Sequence, residues 1–199
     1  LRQQGFNAFK MSNTELATEL AYKSLDISVL IKNKTQEGLC LAQVGMFIFS
    51  SQISEAIKLV KNGFEILMKI DAKREASITA VTLSTLYLNN GDNVTGKAYT
   101  DTFLMLQKDL NDVGLLAEGK TNAALLEQAL GHPEAAEKLM EESGKYLSEF
   151  GNEIAQAKYY RIKSVFYREG NRFPEAIEVA KKGLQLIENK EGLDYEKGM

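Results

Sequence analysis

A phosphate-binding motif is the strongest chemical signal in this sequence of 199 residues. Residues 114–121 read GLLAEGKT and satisfy the pattern G-x-x-x-x-G-K-[ST], in which backbone amides cradle phosphates, the lysine neutralises charge and the hydroxyl binds magnesium. Such a loop follows a buried strand, whereas the preceding residues, KDLNDV, are too polar and too helical for one. We therefore expect no nucleotide or other cofactor, and an enzyme acting through this motif is the least favoured hypothesis.

The remaining reactive side chains also predict a protein without catalysis. His132 is the only histidine and Cys40 the only cysteine, so the chain holds neither a histidine-cluster metal site nor an internal disulfide. His132 lies in a Gly-His-Pro turn, and Cys40 lies in an apolar run that favours a small buried residue over a reactive thiolate. Glu141 and Glu142 are typical of a solvated helix face.

Composition and charge narrow the class of protein further. The chain has 2 prolines, no tryptophan and a net charge of -3, with stretches rich in Leu, Ala, Glu and Lys that favour helix. No apolar run approaches the roughly 20 residues of a membrane span, and the balance of charge argues against nucleic acid as a direct partner. With a single cysteine, the sequence predicts a cytoplasmic all-α protein.

Self-similarity at a fixed spacing fixes the architecture more firmly than local propensity does. The segment ISEAIKLVKNGFEIL around Ala56 recurs as FPEAIEVAKKGLQLI around Ala176, which is 120 residues or three steps of 40 further on. The intermediate copies centre on Gly96 and Ala136, and a fifth copy centres on Ala17. The sequence therefore predicts five helix pairs, with small residues in the second helix of each pair where two helices approach closely.

Turn residues recur between the two helices of each pair. The predicted turns lie at 12–13, 50–52, 89–92, 130–132 and 169–171, where glycine supplies a left-handed conformation and Asp or Asn caps the next helix. Pro133 and Pro174 both follow such a turn and are predicted at the first helical position, where a missing N–H costs nothing.

These features resemble the tetratricopeptide repeat (TPR) family. The resemblance rests on AVTLSTLYLNNGD, with Ser84 and Tyr87 at first-helix positions, and on YYRIKSVFYREGN, with Ser164 and Tyr167. The period of about 40 exceeds the family's roughly 34 residues, and Gly96 replaces the usual alanine. Such long repeats are similar to those of maltose-activator-type and peptide-sensing bacterial regulators and of LGN and kinesin-light-chain adaptors.

The resemblance implies a right-handed α-α superhelix, a solenoid of antiparallel helix pairs. We expect one domain over 1–199 with units near 1–34, 35–73, 74–113, 114–153 and 154–192, and we place the residues in excess of 34 in longer second helices and linkers. Frayed caps at both termini are one interpretation. We favour the other, a piece of a longer array, because such arrays usually close with a polar helix.

A concave groove formed by the first helices is the candidate site. Its apolar members equally fit the interhelical core, because a helix stripe is usually core before it is a site. The predicted lining residues are Gln43, Met46, Phe49, Thr85, Leu88, Asn89, Asn122, Leu125, Gln128, Lys158, Arg161 and Arg168, together with Phe6, Phe9 and Val165.

This groove predicts a protein or peptide partner, with a segment of the parent protein as one alternative. Its C-terminal end is basic through Arg161 and Arg168, which suits an acidic amphipathic ligand. The first hypothesis is thus a non-catalytic interaction module, a scaffold or adaptor. The alternative is a ligand- or peptide-sensing regulatory domain of a larger signalling or transcription protein.

Overall fold

Every regular element in the described part of the chain is an α-helix, as the sequence predicts. The computed structural model describes residues 1–108, 110, 112–150 and 153–188. The helices are α1 (Arg2–Lys10), α2 (Thr14–Leu30), α3 (Lys34–Ile48), α4 (Ile53–Lys69), α5 (Lys73–Asn89), α6 (Asn93–Gln107), α7 (Val113–Ala129), α8 (Pro133–Phe150), α9 (Glu153–Glu169) and α10 (Phe173–Glu188).

The helices pair in chain order, α1 with α2 through α9 with α10, and the first helices α3, α5, α7 and α9 each begin one residue before the unit starts expected from the sequence. Contacts divide the chain into two compact units, Leu1–Leu110 with α1 to α6 and Asn111–Met199 with α7 to α10. The sequence offered no sign of this boundary.

The turns between helices use left-handed residues, although not always the predicted ones. Gly91 and Gly131 have φ of 80° and 84° and end α5 and α7 as expected. In the turn after α9 the left-handed residue is Asn171 (φ 58°), not Gly170, because an asparagine side chain also tolerates this conformation. Pro133 is the first residue of α8 as predicted, whereas Pro174 is the second residue of α10, where its amide would also lack a helical partner.

Caps define where the helices begin. The side chains of Asn13, Asn33, Asp92 and Asp112 each accept a hydrogen bond from the amide three residues later, at 3.0–3.1 Å. The residues beyond 34 per repeat are shared by both helices of a pair. First helices α3, α5, α7 and α9 have 15–17 residues and second helices α4, α6, α8 and α10 have 15–18, so the prediction that only the second helix lengthens is wrong.

Backbone contact between α3 and α4 confirms the predicted role of small residues. A Cβ on Gly63 would lie 2.4 Å from the carbonyl oxygen of Gly38, and one on Gly45 would lie 2.6 Å from the carbonyl oxygen of Ala56. Ala56 itself is fully buried. The two helices therefore approach so closely at these points that no side chain fits between them.

Each unit has its own core. In the first unit the core centres on Phe47, Val44, Val60 and Leu83, and Cys40 is buried there with its Sγ 3.2 Å from Ser24 Oγ. Its α5–α6 interface is partly polar, with 2.6 Å between the hydroxyls of Ser84 and Thr100. The core of the second unit is built on Met140, Leu147, Tyr159 and Phe166. None of the described helices has the length and apolarity needed to cross a bilayer.

Gly63→Ala tests the α3–α4 approach. We expect the free energy of unfolding to fall by about 1–3 kcal/mol, because the added methyl must push two backbones apart. The matched control is Gly114→Ala, whose Cβ would meet no atom closer than 3.9 Å and which should be neutral or stabilising by up to about 1 kcal/mol. Equal effects of the two substitutions in urea denaturation would contradict the close approach.

Candidate binding face

The phosphate-loop pattern lies inside a helix. Residues 114–121 form the first turns of α7, so most of their amides bond along the helix and do not form a loop around phosphate. Lys120 donates a hydrogen bond to Glu142 of α8, and its ammonium lies 5.6 Å from the ring centre of Tyr146. Thr121 Oγ1 donates to the carbonyl of Glu118 at 2.6 Å. The pattern therefore serves packing between α7 and α8.

The Lys120–Glu142 ion pair corrects one sequence-based expectation. Glu142 was expected on a solvated face, but its side chain is 35% exposed and that of Lys120 is 15% exposed. The hydrogen bond from Lys120 lowers the pKa of Glu142 against the opposing effect of burial. The folded chain thus favours the ionised form of this carboxyl.

The predicted turn histidine is exposed but has a partner. His132 Nδ1 lies 2.8 Å from Glu127 Oε2, and the histidine side chain is 61% exposed. Within the described ranges no three His, Cys, Asp or Glu side chains are grouped as metal ligands.

In the first unit, most of the predicted groove residues are partly or fully buried. Gln43 is 2% exposed, and its amide donates to the carbonyl of Arg2 at 2.8 Å, so this side chain joins α3 to α1 and does not face a partner. Met46 and Phe49 pack against the core, and Phe6 and Phe9 lie on the ring of Phe47. Three predicted residues remain: Thr85, half-buried and donating to the carbonyl of Val81, Leu88, half-buried, and Asn89, exposed.

In the second unit, the predicted residues divide between interior and surface. Asn122 is 6% exposed, and Leu125 packs against the core. Gln128 donates its amide to the carbonyl of Phe166 at 3.0 Å and so joins α7 to α9. The predicted residues on α9 lie nearer the surface. Lys158 and Arg161 are exposed and Val165 is half-buried. Arg168 is exposed and forms an ion pair with Glu169 at 2.8 Å.

Lys158 and Arg161 meet at one pocket. It has a volume of about 360 Å³ and lies between α7 and α9 over the end of α8. Its lining comprises Gly114, Ala117, Glu118, Thr121, Leu147, Ala155, Lys158, Tyr159, Arg161 and Ile162. We call this surface the α7–α9 face. It combines an apolar floor with two cations and one carboxylate.

The floor of the α7–α9 face is buried and uncharged. Leu147 and Tyr159 are 4% and 7% exposed, and the Tyr159 hydroxyl donates to the carbonyl of Met140 at 3.1 Å. Burial raises the pKa of Tyr159 to about 12, so its phenol is neutral at physiological pH.

No family model and no curated protein sequence matches the chain. Among solved structures, apo RapI is 15% identical with a TM-score of 0.77, over 94% of this chain and 67% of RapI. A Rap protein complexed with Competence and Sporulation Factor is 14% identical with a TM-score of 0.78, over 93% of this chain and 52% of that one.

A third solved structure consists of TPR-like repeats. A Podospora anserina kinesin light chain with nearly identical TPR-like repeats matches 93% of this chain and 92% of its own, at 15% identity and a TM-score of 0.65. The fold is that of TPR-like repeat proteins. At these identities the likeness establishes the fold alone, and the TPR-like solenoid predicted from the sequence is confirmed.

The TPR-like period identifies two pocket residues that the sequence analysis missed. Glu118 and Thr121 lie 40 residues before Lys158 and Arg161, so they occupy the same positions on the preceding first helix. Subtracting one period from the predicted cations would have placed them at the site. They were missed because the prediction followed residue type and not repeat position.

The contribution of Glu142 to the free energy of unfolding should depend on pH in a defined window. Because its pKa is lower in the folded chain, the ion pair stabilises the fold above the ordinary glutamate pKa of 4.5 and loses this effect as pH falls through the folded value. We expect Glu142→Gln to lower the free energy of unfolding by about 0.5–1 kcal/mol at pH 7, and by progressively less as the carboxyl is protonated below pH 4.5. Glu149→Gln, an exposed site on the same helix, is the control. A difference that did not shrink on acidification would contradict the ion-pair explanation.

Proposed function

We propose that the chain is a non-catalytic interaction module that binds an acidic peptide or helical segment on the α7–α9 face. The observation that carries this proposal is the placement of Lys158 and Arg161 at the rim of an apolar pocket. Within the described part of the chain, neither side chain forms an ion pair or a hydrogen bond. Both cations are therefore free to meet a ligand carboxylate.

The lining suggests how such a ligand would be oriented. An apolar side chain of the ligand would rest on Leu147 and Ile162, which removes apolar surface from water. Its carboxylate would lie beside Lys158 and Arg161 and away from Glu118, because a like charge across the pocket is repulsive. Arg168 contributes less, since Glu169 already accepts its hydrogen bonds.

The structural neighbours support an interaction module in general and do not identify its ligand. One of them was solved with a bound factor, and another is a protein with TPR-like repeats. The basic residues and amides predicted in the groove do not reproduce the two-carboxylate clamp of chaperone-binding TPR proteins, so a chaperone tail is not the favoured ligand. Cytoplasmic location, a role in signalling and absence of catalysis are parts of the same proposal.

A continuous groove along all five helix pairs stays a prediction. Gln43 and Asn122 are buried, whereas Phe9 and Asn89 are exposed and Thr85 and Leu88 are half-buried. The proposed binding residues are therefore those of the α7–α9 face.

A ligand-sensing domain is the second candidate. The pocket of about 360 Å³ falls in the range of about 300–1,000 Å³ that small-molecule sites occupy, so a small carboxylic acid would also fit. A rise in melting temperature with such acids, and none with acidic peptides, would favour this alternative.

Charge selection on the α7–α9 face is the direct test. Three amphipathic peptides with the same leucine stripe and with Glu, Gln or Lys at the polar positions are titrated by fluorescence anisotropy. We expect the Glu peptide to bind at least about tenfold more tightly than the Gln peptide, about 1.4 kcal/mol. The Lys158→Ala/Arg161→Ala variant should bind the Glu and Gln peptides equally.

The matched control is Lys61→Ala/Lys69→Ala, which removes two exposed lysines from α4 and should leave the preference unchanged. If all three peptides bound equally to the unmodified chain, or if the control lost as much affinity as the α9 variant, the proposal would fail.

A further inference from the structure

A second pocket of the Asn111–Met199 unit is lined by residues of α8, α9 and α10 and has a volume of about 410 Å³. We call it the α8–α10 pocket. Each of the three helices contributes one lysine to its lining, namely Lys145, Lys163 and Lys182. Among the described residues that line it, the only carboxylate is that of Glu141. The pocket therefore carries an excess of positive charge.

The repeat shows which side chains this pocket lacks. Helices α8, α9 and α10 each begin 80 residues after α4, α5 and α6. Around α5, Phe64, Leu83 and Tyr99 belong to one apolar cluster, in which the rings of Phe64 and Tyr99 lie 5.7 Å apart. The equivalent residues around α9 are Gly144, Lys163 and Val179. Two aromatic rings are thus replaced by a hydrogen and a small side chain, which leaves space between the helices.

Tyr159 fills only part of that space. It stands where α5 has Thr79, and its hydroxyl lies 2.6 Å from the place that a Cβ on Gly144 would take. The remainder is the open volume of about 410 Å³. It is within the range of about 300–1,000 Å³ that small-molecule sites occupy.

Lys163 occupies a position that is apolar in the other repeats. Counted from the start of each helix, the equivalent residues of α3, α5 and α7 are buried Val44, Leu83 and Ala123. Lys163 is half-buried, and its ammonium lies 5.4 Å and 5.7 Å from the ring centres of Tyr159 and Tyr167. Within the described part of the chain no carboxylate pairs with it. The rings offset part of the cost of removing this charge from water, and an anion in the pocket would offset more.

The other two lysines also differ in charge from their repeat equivalents. Lys145 stands where α4 has Glu65, and Lys182 stands where α6 has Thr102. Lys145 is exposed and forms no ion pair with a described residue, whereas Lys182 donates to Glu178 at 2.7 Å. The pocket thus offers two ammonium groups without a carboxylate partner and a third that Glu178 shares.

We propose that the α8–α10 pocket binds the phosphate group of a small phosphate monoester. Such a group carries a charge of about −1.5 to −2 at pH 7, which matches two uncompensated lysines better than a single carboxylate does. Lysine binds phosphate as a point charge, so three ammonium groups on separate helices can surround it. Tyr160, half-buried in the lining, offers a ring and a hydroxyl to the rest of the molecule.

Isothermal titration calorimetry with two esters of the same shape tests this proposal. Phenyl phosphate is doubly charged at about pH 8, above its second pKa of about 6, whereas phenyl sulfate is singly charged. We expect phenyl phosphate to bind at least about tenfold more tightly than phenyl sulfate. Inorganic phosphate is titrated in parallel. Equal affinity for it would identify the free ion as the ligand and overturn the monoester.

Two variants remove the charge and keep the fold. Lys163→Leu restores the residue type found at Leu83, and Lys145→Glu restores the charge of Glu65 at an exposed site. We expect each to weaken phenyl phosphate binding at least about tenfold, without lowering the free energy of unfolding in urea. Lys138→Glu, an exposed residue of α8 outside the lining, is the matched control and should change the affinity by less than about twofold.

Several results would overturn the proposal. They are the absence of saturable phenyl phosphate binding, equal affinity for the two esters, full affinity in Lys163→Leu, and a loss in Lys138→Glu as large as in Lys145→Glu. The Lys158→Ala/Arg161→Ala variant should bind phenyl phosphate normally. A loss of binding there but not in Lys163→Leu would assign the phosphate to the α7–α9 face.

Discussion

The close approach of α3 and α4, with no side chain between them at their glycines, is the constraint on which the packing of this pair depends. At Gly63 the backbone of α4 meets the carbonyl of Gly38 on α3, and a Cβ there would lie only 2.4 Å from that oxygen. When two helices are this close, their rotation about their own axes is fixed, because any other rotation would place a larger residue in the contact. The faces that point to the core and to solvent are then fixed as well.

That constraint distributes the residues of each first helix between interior and surface. Once one face of α9 packs on α8 and α10, Lys158 and Arg161 are left at the surface next to the preceding first helix, α7, with Glu118 and Thr121. Phe173, Ile177 and Leu184 of α10 stay exposed, whereas Val60 of α4 is buried with Leu83 and Leu86 of α5. A repeat protein thus repeats one geometry at each step, and the local sequence decides the chemistry of each surface.

Polar side chains inside the units join neighbouring first helices. Gln43 links α3 to the carbonyl of Arg2, and Gln128 links α7 to the carbonyl of Phe166. Both were expected in the groove, because they are offset from the small residues at which the helices pack. In each case a backbone carbonyl of the adjacent helix accepts a hydrogen bond from the side-chain N–H, which offsets part of the cost of removing the amide from water. The amide oxygens of both residues are buried without a hydrogen-bond partner among the described residues. The position of the accepting carbonyl depends on how the adjacent helix packs, which the sequence does not specify.

The sequence by itself determined the helical class, the five pairs, the turns and the close-packing positions, because all of these are recorded in a period and in glycine, proline and small residues. It also disfavoured a phosphate loop around Lys120 on local grounds, and the structure places these residues inside α7. The tertiary structure decided which outward residues share a pocket, where the chain divides into two units, and that Lys120 pairs with Glu142. These depend on contacts between residues 22 to 40 positions apart, and the energy of such contacts is set by neighbours that local periodicity does not specify.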